Sequence, residues 1–178
     1  RDSQYAALYS ETVTVQLEND FLPFLYPNQY VNFTPDSKAS QLALSLIDED
    51  TVDVDALQQI YDYVVSNLTY DYEKADTVTT GYLPDVDETL KTGTGICFDY
   101  AALTTAMLRS CDIPCKLQIG YAGDIKHAWI DVYIRSKGWV NQAVSFKGDT
   151  WTLMDPTFDS NSDDKEAIQD YIGDESNY

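Results

Sequence analysis

CFDYAALTTAMLRSCDIPCKLQIGYAGDIKHAWIDVYI, residues 97–134, changes its period halfway along. From Cys97 to Ser110 the apolar positions recur at helical spacing, with Tyr100, Ala101, Thr104, Met107 and Leu108 on one side. Pro114 separates this helix from the next element. From Lys116 onward the period is two. Residues 116–121 read as a strand, Gly123-Asp124 as a turn and residues 127–135 as a second strand. In that second strand Ala128, Ile130, Val132 and Ile134 form an apolar face, and His127, Trp129, Asp131 and Tyr133 point the other way. Strands near 139–145 and 150–155 continue the meander, with Lys147-Gly148-Asp149 as a hairpin turn.

Working outward, the N-terminal side is helical. Asp53 to about Asn67 carries Val54, Leu57, Ile60, Tyr61, Val64 and Leu68 on one face. Thr34-Pro35-Asp36 reads as a helix start, with Thr34 as N-cap and Ala39, Leu42, Ala43, Leu46 and Ile47 following at helical spacing. Residues 11–18 alternate Val13, Val15 and Leu17 with Thr12, Thr14 and Gln16, the pattern of a half-buried strand. Residues 71–95 form a long polar connection with Gly81, Pro84, Gly93 and Gly95, a functional loop or a disordered one by its length, with room for a short helical turn near Asp87 to Lys91. Helices first and a run of strands afterwards predict α+β architecture with an antiparallel sheet. At 178 residues the chain is expected to be one domain. It divides into a strand-and-helix extension over 1–52, a core over 53–159 and an acidic C-terminal segment over 160–178.

Thirty acidic residues against 11 basic give a net charge of −19. Such a surface repels phosphate backbones and anionic membranes, so a nucleic-acid partner is not expected. No apolar run reaches the length needed to span a bilayer. In the tail, Asp159-Ser160-Asn161-Ser162-Asp163 imitates half of a calcium loop. Asp164 stands where Gly is needed and Asp170 where Glu is needed, so the segment reads as a solvated acidic face and not a metal site. Arg1-Asp2-Ser3-Gln4 has neither an initiator Met nor a signal peptide, which reads as a processing boundary. Fourteen tyrosines and few lysines suggest an extracellular or cell-surface protein. Three cysteines do not make a disulfide framework, and a Cys111–Cys115 bridge or two buried thiols both fit the spacing.

Three residues supply the parts of nucleophilic catalysis. Cys97 opens a helix, where N–H groups and the positive dipole end favour a thiolate and could hold an oxyanion. His127 is the single histidine, and therefore the one imidazole available as a base near neutral pH. Asp155 ends a strand and can orient that base. Individually each fits a blander role: a buried thiol, a surface imidazole, a turn-forming Asp before Pro156.

Gly93-Thr94-Gly95-Ile96-Cys97-Phe98-Asp99-Tyr100-Ala101 resembles the nucleophile motif of the transglutaminase-like superfamily. Leu108-Arg109-Ser110-Cys111-Asp112-Ile113-Pro114 resembles the helix end after it, and Ile119-Gly120-Tyr121 the next strand. His127-Ala128-Trp129-Ile130-Asp131-Val132 is similar to the family's histidine strand, and Trp151-Thr152-Leu153-Met154-Asp155-Pro156-Thr157-Phe158 to its aspartate motif. The likeness, to a bacterial-type secreted member, covers residues 57 to 159. It implies a papain-like core with the Cys-bearing helix packed on an antiparallel sheet. It further implies Cys97 as nucleophile, His127 as base and then acid, and Asp155 as the group orienting the imidazole. The implied oxyanion hole is the Cys97 N–H plus an upstream donor. Tyr70 lies in the region that supplies one, and is otherwise a core tyrosine. Two positions depart from the family: Asp112 where Gly is common before Ile-Pro, and Cys115 where a small residue often follows the Pro.

The expected activity is acyl transfer on protein or peptide carboxamides through a thioester, giving crosslinking or deamidation and requiring no metal or organic cofactor. A cysteine protease or amidase would use the same scaffold. A non-catalytic binding module would use a groove lined by Tyr70, Tyr72, Tyr82, Tyr100 and Trp129.

Overall fold

A computed structural model describes residues 9–153 apart from 17, 49, 123–124 and 148–149, with backbone alone at 121–122, 125–127, 145–147 and 150–153. The Gly123-Asp124 and Gly148-Asp149 turns, Asp155 and the acidic tail lie outside the described residues. Helices α1 (Lys38–Leu46), α2 (Asp53–Asn67), α3 (Tyr72–Thr77), α4 (Val86–Thr92) and α5 (Cys97–Ser110) precede a sheet of β3 (Cys115–Ala122), β4 (Ile125–Ile134), β5 (Gly138–Lys147) and β6 (Thr150–Leu153). Between the helices, β1 (Thr69–Tyr70) and β2 (Thr94–Gly95) form a separate two-stranded parallel pair. The large sheet is an antiparallel meander in the order β3-β4-β5-β6, so the expected α+β segregation is present.

Helix α5 is the centre of the molecule. Thirteen of its fourteen residues are buried, so the expectation of a single buried face is too narrow. An amphipathic helix buries one stripe. Here α1, α2 and α4 pack on one side of α5, and β3 and β4 on the other. Leu57, Ile60 and Val64 of α2 and Ala128, Ile130, Val132 and Ile134 of β4 are all sealed from solvent in the cluster around Leu103, Met107 and Leu108. The opposite face of the sheet carries Tyr133 and Trp139, against which the N-terminal arm packs. The Phe21 ring lies 4.5 Å from that of Tyr133 and the Phe24 ring 5.2 Å from that of Trp139.

Polar groups fix the ends of these elements. The Arg109 guanidinium, near the end of α5, donates to Cys115 O at 3.0 and 2.7 Å and to Tyr26 O at 2.6 Å, tying the arm to the helix–sheet junction. Asp112 then takes φ 56°, the left-handed conformation that closes a helix, and Ile113 N–H donates back to Leu108 O at 3.1 Å. That conformation is the physical reason a glycine suits the position. Asp53 accepts from Arg135 N–H at 2.9 Å, joining the start of α2 to the β4–β5 turn.

Three expectations are corrected. Residues 11–16 form no strand; Val13 and Val15 are 68% and 69% exposed, and no strand among the described residues offers this alternation a ladder. Helix α1 starts at Lys38 with Ser37 as N-cap, and Thr34–Ser37 is a turn closed by Ser37 N–H to Thr34 O at 3.0 Å. Asp87 of α4 supplies the missing cap by accepting from Ala39 N–H at 3.0 Å. The 71–95 connection is not a structureless loop, since it holds α3 and β2 as well as α4, which lies where a helical turn is expected near Asp87 to Lys91.

Candidate active site

Cys97 is the first residue of α5 and is 7% exposed. Its position follows from the two short strands. Thr69 N–H donates to Gly93 O at 2.8 Å and Asp71 N–H to Gly95 O at 2.9 Å, which brings Tyr70 into register with Gly95, two residues before the thiol. Gly93 ends α4 at φ 64°, where an L side chain is strained. Gly95 is required for space: a Cβ there would lie 2.7 Å from Asp99 Cβ. The N-cap of α5, Ile96, has no side-chain acceptor to offer the N–H groups of the first helical turn.

Asp99 folds back over that turn, fully buried, and three donors converge on it. Ile96 N–H reaches Oδ2 at 2.8 Å, Lys74 Nζ reaches the same oxygen at 2.7 Å, and the Tyr82 hydroxyl donates to Oδ1. Lys74 comes from α3, whose N-cap Asp71 accepts from Lys74 N–H at 2.8 Å. Partial burial pulls the Lys74 ammonium down, but the Asp99 and Tyr82 hydrogen bonds outweigh it and hold the group above its ordinary value. Burial, then the hydrogen bond to Asp99, pushes the Tyr82 phenol up to about 12, so it stays a donor. Lys74 also lies 4.5 Å from the centroid of the Tyr82 ring. Tyr82 in turn meets Phe98 edge-on at 6.2 Å.

Sequence reasoning missed Lys74, Tyr82 and Asp99 as a group. The available signal was an acidic residue at the third position of the Cys97 helix. There its carboxylate can reach back to the N-cap N–H, half of a capping box.

His127 lies on β4 in register with Gly120 of β3. Two residues along, Trp129 pairs with Gln118 and Ser145, and its ring covers Gly120, where a Cβ would lie 2.8 Å from Trp129 Cη2. Helix α5 packs on β4, so the strand carrying His127 and the helix carrying Cys97 are neighbours. Tyr70 is half-buried on β1, its ring edge-on to Tyr72 at 5.0 Å. Of the aromatics expected to line a groove, Tyr100 is fully buried within the core, and burial raises its phenol well above the ordinary value.

The other two cysteines are chemically quiet. Cys111 and Cys115 are thiols with no bridge between them. Burial pushes Cys111 up to about 11 and Cys115 up to about 12; the latter donates to Thr105 Oγ1 at 3.5 Å. Both therefore remain protonated near neutrality and are poor nucleophiles.

Residues 40–156 match the family described as the transglutaminase-like superfamily. The UPF0252 protein MJ1282 of Methanocaldococcus jannaschii is 36% identical over 62 residues, which is 32% of this chain and 18% of that protein. A solved protein of Cytophaga hutchinsonii, named as a candidate cysteine protease, has a TM-score of 0.55 and 26% identity over 75% of this chain and 43% of its own. A candidate protease of Parabacteroides distasonis has a TM-score of 0.48 and 18% identity over 68% of this chain and 29% of its own. The chain thus spans less than half the length of these relatives. Among the described residues no helix is long and apolar enough to cross a membrane.

Proposed function

The chain belongs to the transglutaminase-like superfamily, and from that premise we propose that it transfers acyl groups from protein or peptide carboxamides through a thioester on Cys97. The observation that carries this reading is the position of Cys97 as the first residue of a buried helix, held by the β1–β2 pair and packed against the strand that bears His127. The Cys97 thiol gives its proton to His127, and the sulfur attacks the amide carbon. The Cys97 N–H and the Tyr70 hydroxyl hold the oxyanion that forms. His127 gives its proton to the departing ammonia or amine as the C–N bond breaks, and Asp155 keeps the imidazole in the required tautomer. A lysine amine then resolves the thioester as a crosslink, or water resolves it as a carboxylate. Trp129, over Gly120 on the histidine strand, forms part of the substrate groove.

The likeness to the Cytophaga protein favours a second outcome on the same site, in which the scissile amide is a peptide bond and water is the acceptor. Intact-mass spectrometry of a glutamine peptide incubated with wild type or Cys97→Ala, with and without a primary amine, separates these outcomes. Incorporation of the amine with loss of ammonia, absent in the variant, is the expected result. Hydrolysis without incorporation marks a deamidase, and cleavage a protease. Absence of any product from wild type, with Cys97 alkylating no faster than a small-molecule thiol, sinks the catalytic reading and leaves a binding module.

A further inference from the structure

We propose that Lys74 and Asp99 are positioning residues for Cys97: Asp99 fixes the peptide entering the nucleophile's helix, and Lys74 cancels the negative charge that this places in the same helical turn as the sulfur. The inference rests on Cys97 being the reactive thiol. Asp99 belongs to the first turn of α5, two residues from Cys97, and is fully buried. By accepting from Ile96 N–H at 2.8 Å it sets the orientation of the chain at the helix start. A bare carboxylate there would oppose the same thiolate that the helix terminus favours. The Lys74 ammonium at 2.7 Å neutralises it, and the Tyr82 hydroxyl takes the second oxygen, leaving the helix dipole as the field felt at the sulfur. The N-cap of α3, Asp71, serves to bring Lys74 over the turn. The other titratable groups on the elements around the start of α5 include Tyr70 on β1, Asp71, Tyr72, Glu73 and Asp76 at α3, Tyr82 before α4, Asp85, Asp87, Glu88 and Lys91 at α4, Tyr100 on α5, and Lys126, His127 and Asp131 on β4. Both substitutions change the partners of Tyr82, whose hydroxyl bonds Asp99 and whose ring lies beneath Lys74, and leave the other groups unaltered.

The test is the pH dependence of iodoacetamide alkylation at Cys97, followed by peptide mapping, in wild type, Lys74→Met, Asp99→Asn and the double variant, with circular dichroism as a check of fold. Lys74→Met exposes the sulfur to an uncompensated carboxylate, and the apparent thiol pKa should rise by about one unit. Asp99→Asn keeps an acceptor for Ile96 N–H and leaves the ammonium unopposed, so the pKa should fall. The double variant should return close to wild type. Shifts of the same direction in both single variants, or none in either, overturn the proposal, because a merely structural ion pair would loosen the site alike from either side. Should Lys74→Met not fold, the sign of the Asp99→Asn shift decides. A wild-type Cys97 that titrates like an ordinary thiol instead overturns the catalytic reading, and this proposal with it.

Discussion

Asp112 shows how a single backbone angle explains a sequence oddity. The position before Ile113-Pro114 is where the family resemblance leads one to expect Gly, and the chain passes through it at φ 56°. An L residue in that region is strained, though Asp tolerates it better than most because its short side chain can bond locally. Replacing Asp112 with Gly should therefore stabilise the protein by about 0.5–1 kcal/mol, partly offset by the greater freedom of the unfolded chain. Urea unfolding of the two proteins measures the difference, and a destabilised glycine variant would refute the strain argument. The neighbouring departure, Cys115, has the opposite character. Its side chain is fully enclosed and donates to Thr105 Oγ1, so the thiol fills a closed space in the core.

Among the elements, those with a sustained period were legible and those held by single polar contacts were not. Helices α2 and α5 occupy the spans expected from Leu57, Ile60 and Val64 and from the run after Cys97, because each buries enough apolar surface to fix its ends. The strand meander was equally legible from its alternation. Helix α3 has six residues, none of them buried, and depends on its Asp71 cap and the Lys74–Asp99 pair; no hydrophobic pattern announces such a helix. The sequence therefore marked the helix start that carries Cys97 and the strand that carries His127, but not the Lys74–Asp99 pair in the first turn of that helix. Strand β4 has its own unannounced device. Where the β4–β5 register shifts between Ile130 and Val132, the buried Asp131 carboxylate accepts from Gln142 N–H at 2.8 Å and from the Gln118 amide. Gln142 sits at φ 51°, so the carboxylate holds a bulge. Burial raises the Asp131 pKa against the smaller lowering by Gln142. A raised carboxyl contributes its stability below the unfolded pKa, and that contribution is lost as pH rises through the folded value. Asp131→Asn, which keeps an acceptor without the charge, should be tolerated at pH 7. Asp131→Ala, which orphans the Gln142 N–H, should cost about 1–3 kcal/mol. Thermal melts of the two variants at pH 4 and pH 7 check both the order and the sign.

Over the whole molecule, one guanidinium joins regions far apart in sequence. Arg109 reaches Tyr26 O on the arm and Cys115 O at the start of β3, so the arm that covers the outer sheet face is tied to the end of the central helix. Arg109→Met retains much of the packing of the stem and removes the donors. It should destabilise the protein by about 3 kcal/mol and raise proteolytic nicking near Tyr26 more than in α5. Urea unfolding and limited proteolysis followed by mass spectrometry distinguish this from a uniform loss of stability, which would show equal nicking in both places. The two-residue pairing of Thr69-Tyr70 with Thr94-Gly95 has a consequence of another kind. It works as a drawstring at the mouth of a purse: residues 71–93 set out from one cinched neck and return to it, with Val86 of α4 folded back into the core. The exposed turn at residues 79–81 can therefore lengthen or change while Tyr82, bonded to Asp99, and the thiol at the neck stay where they are.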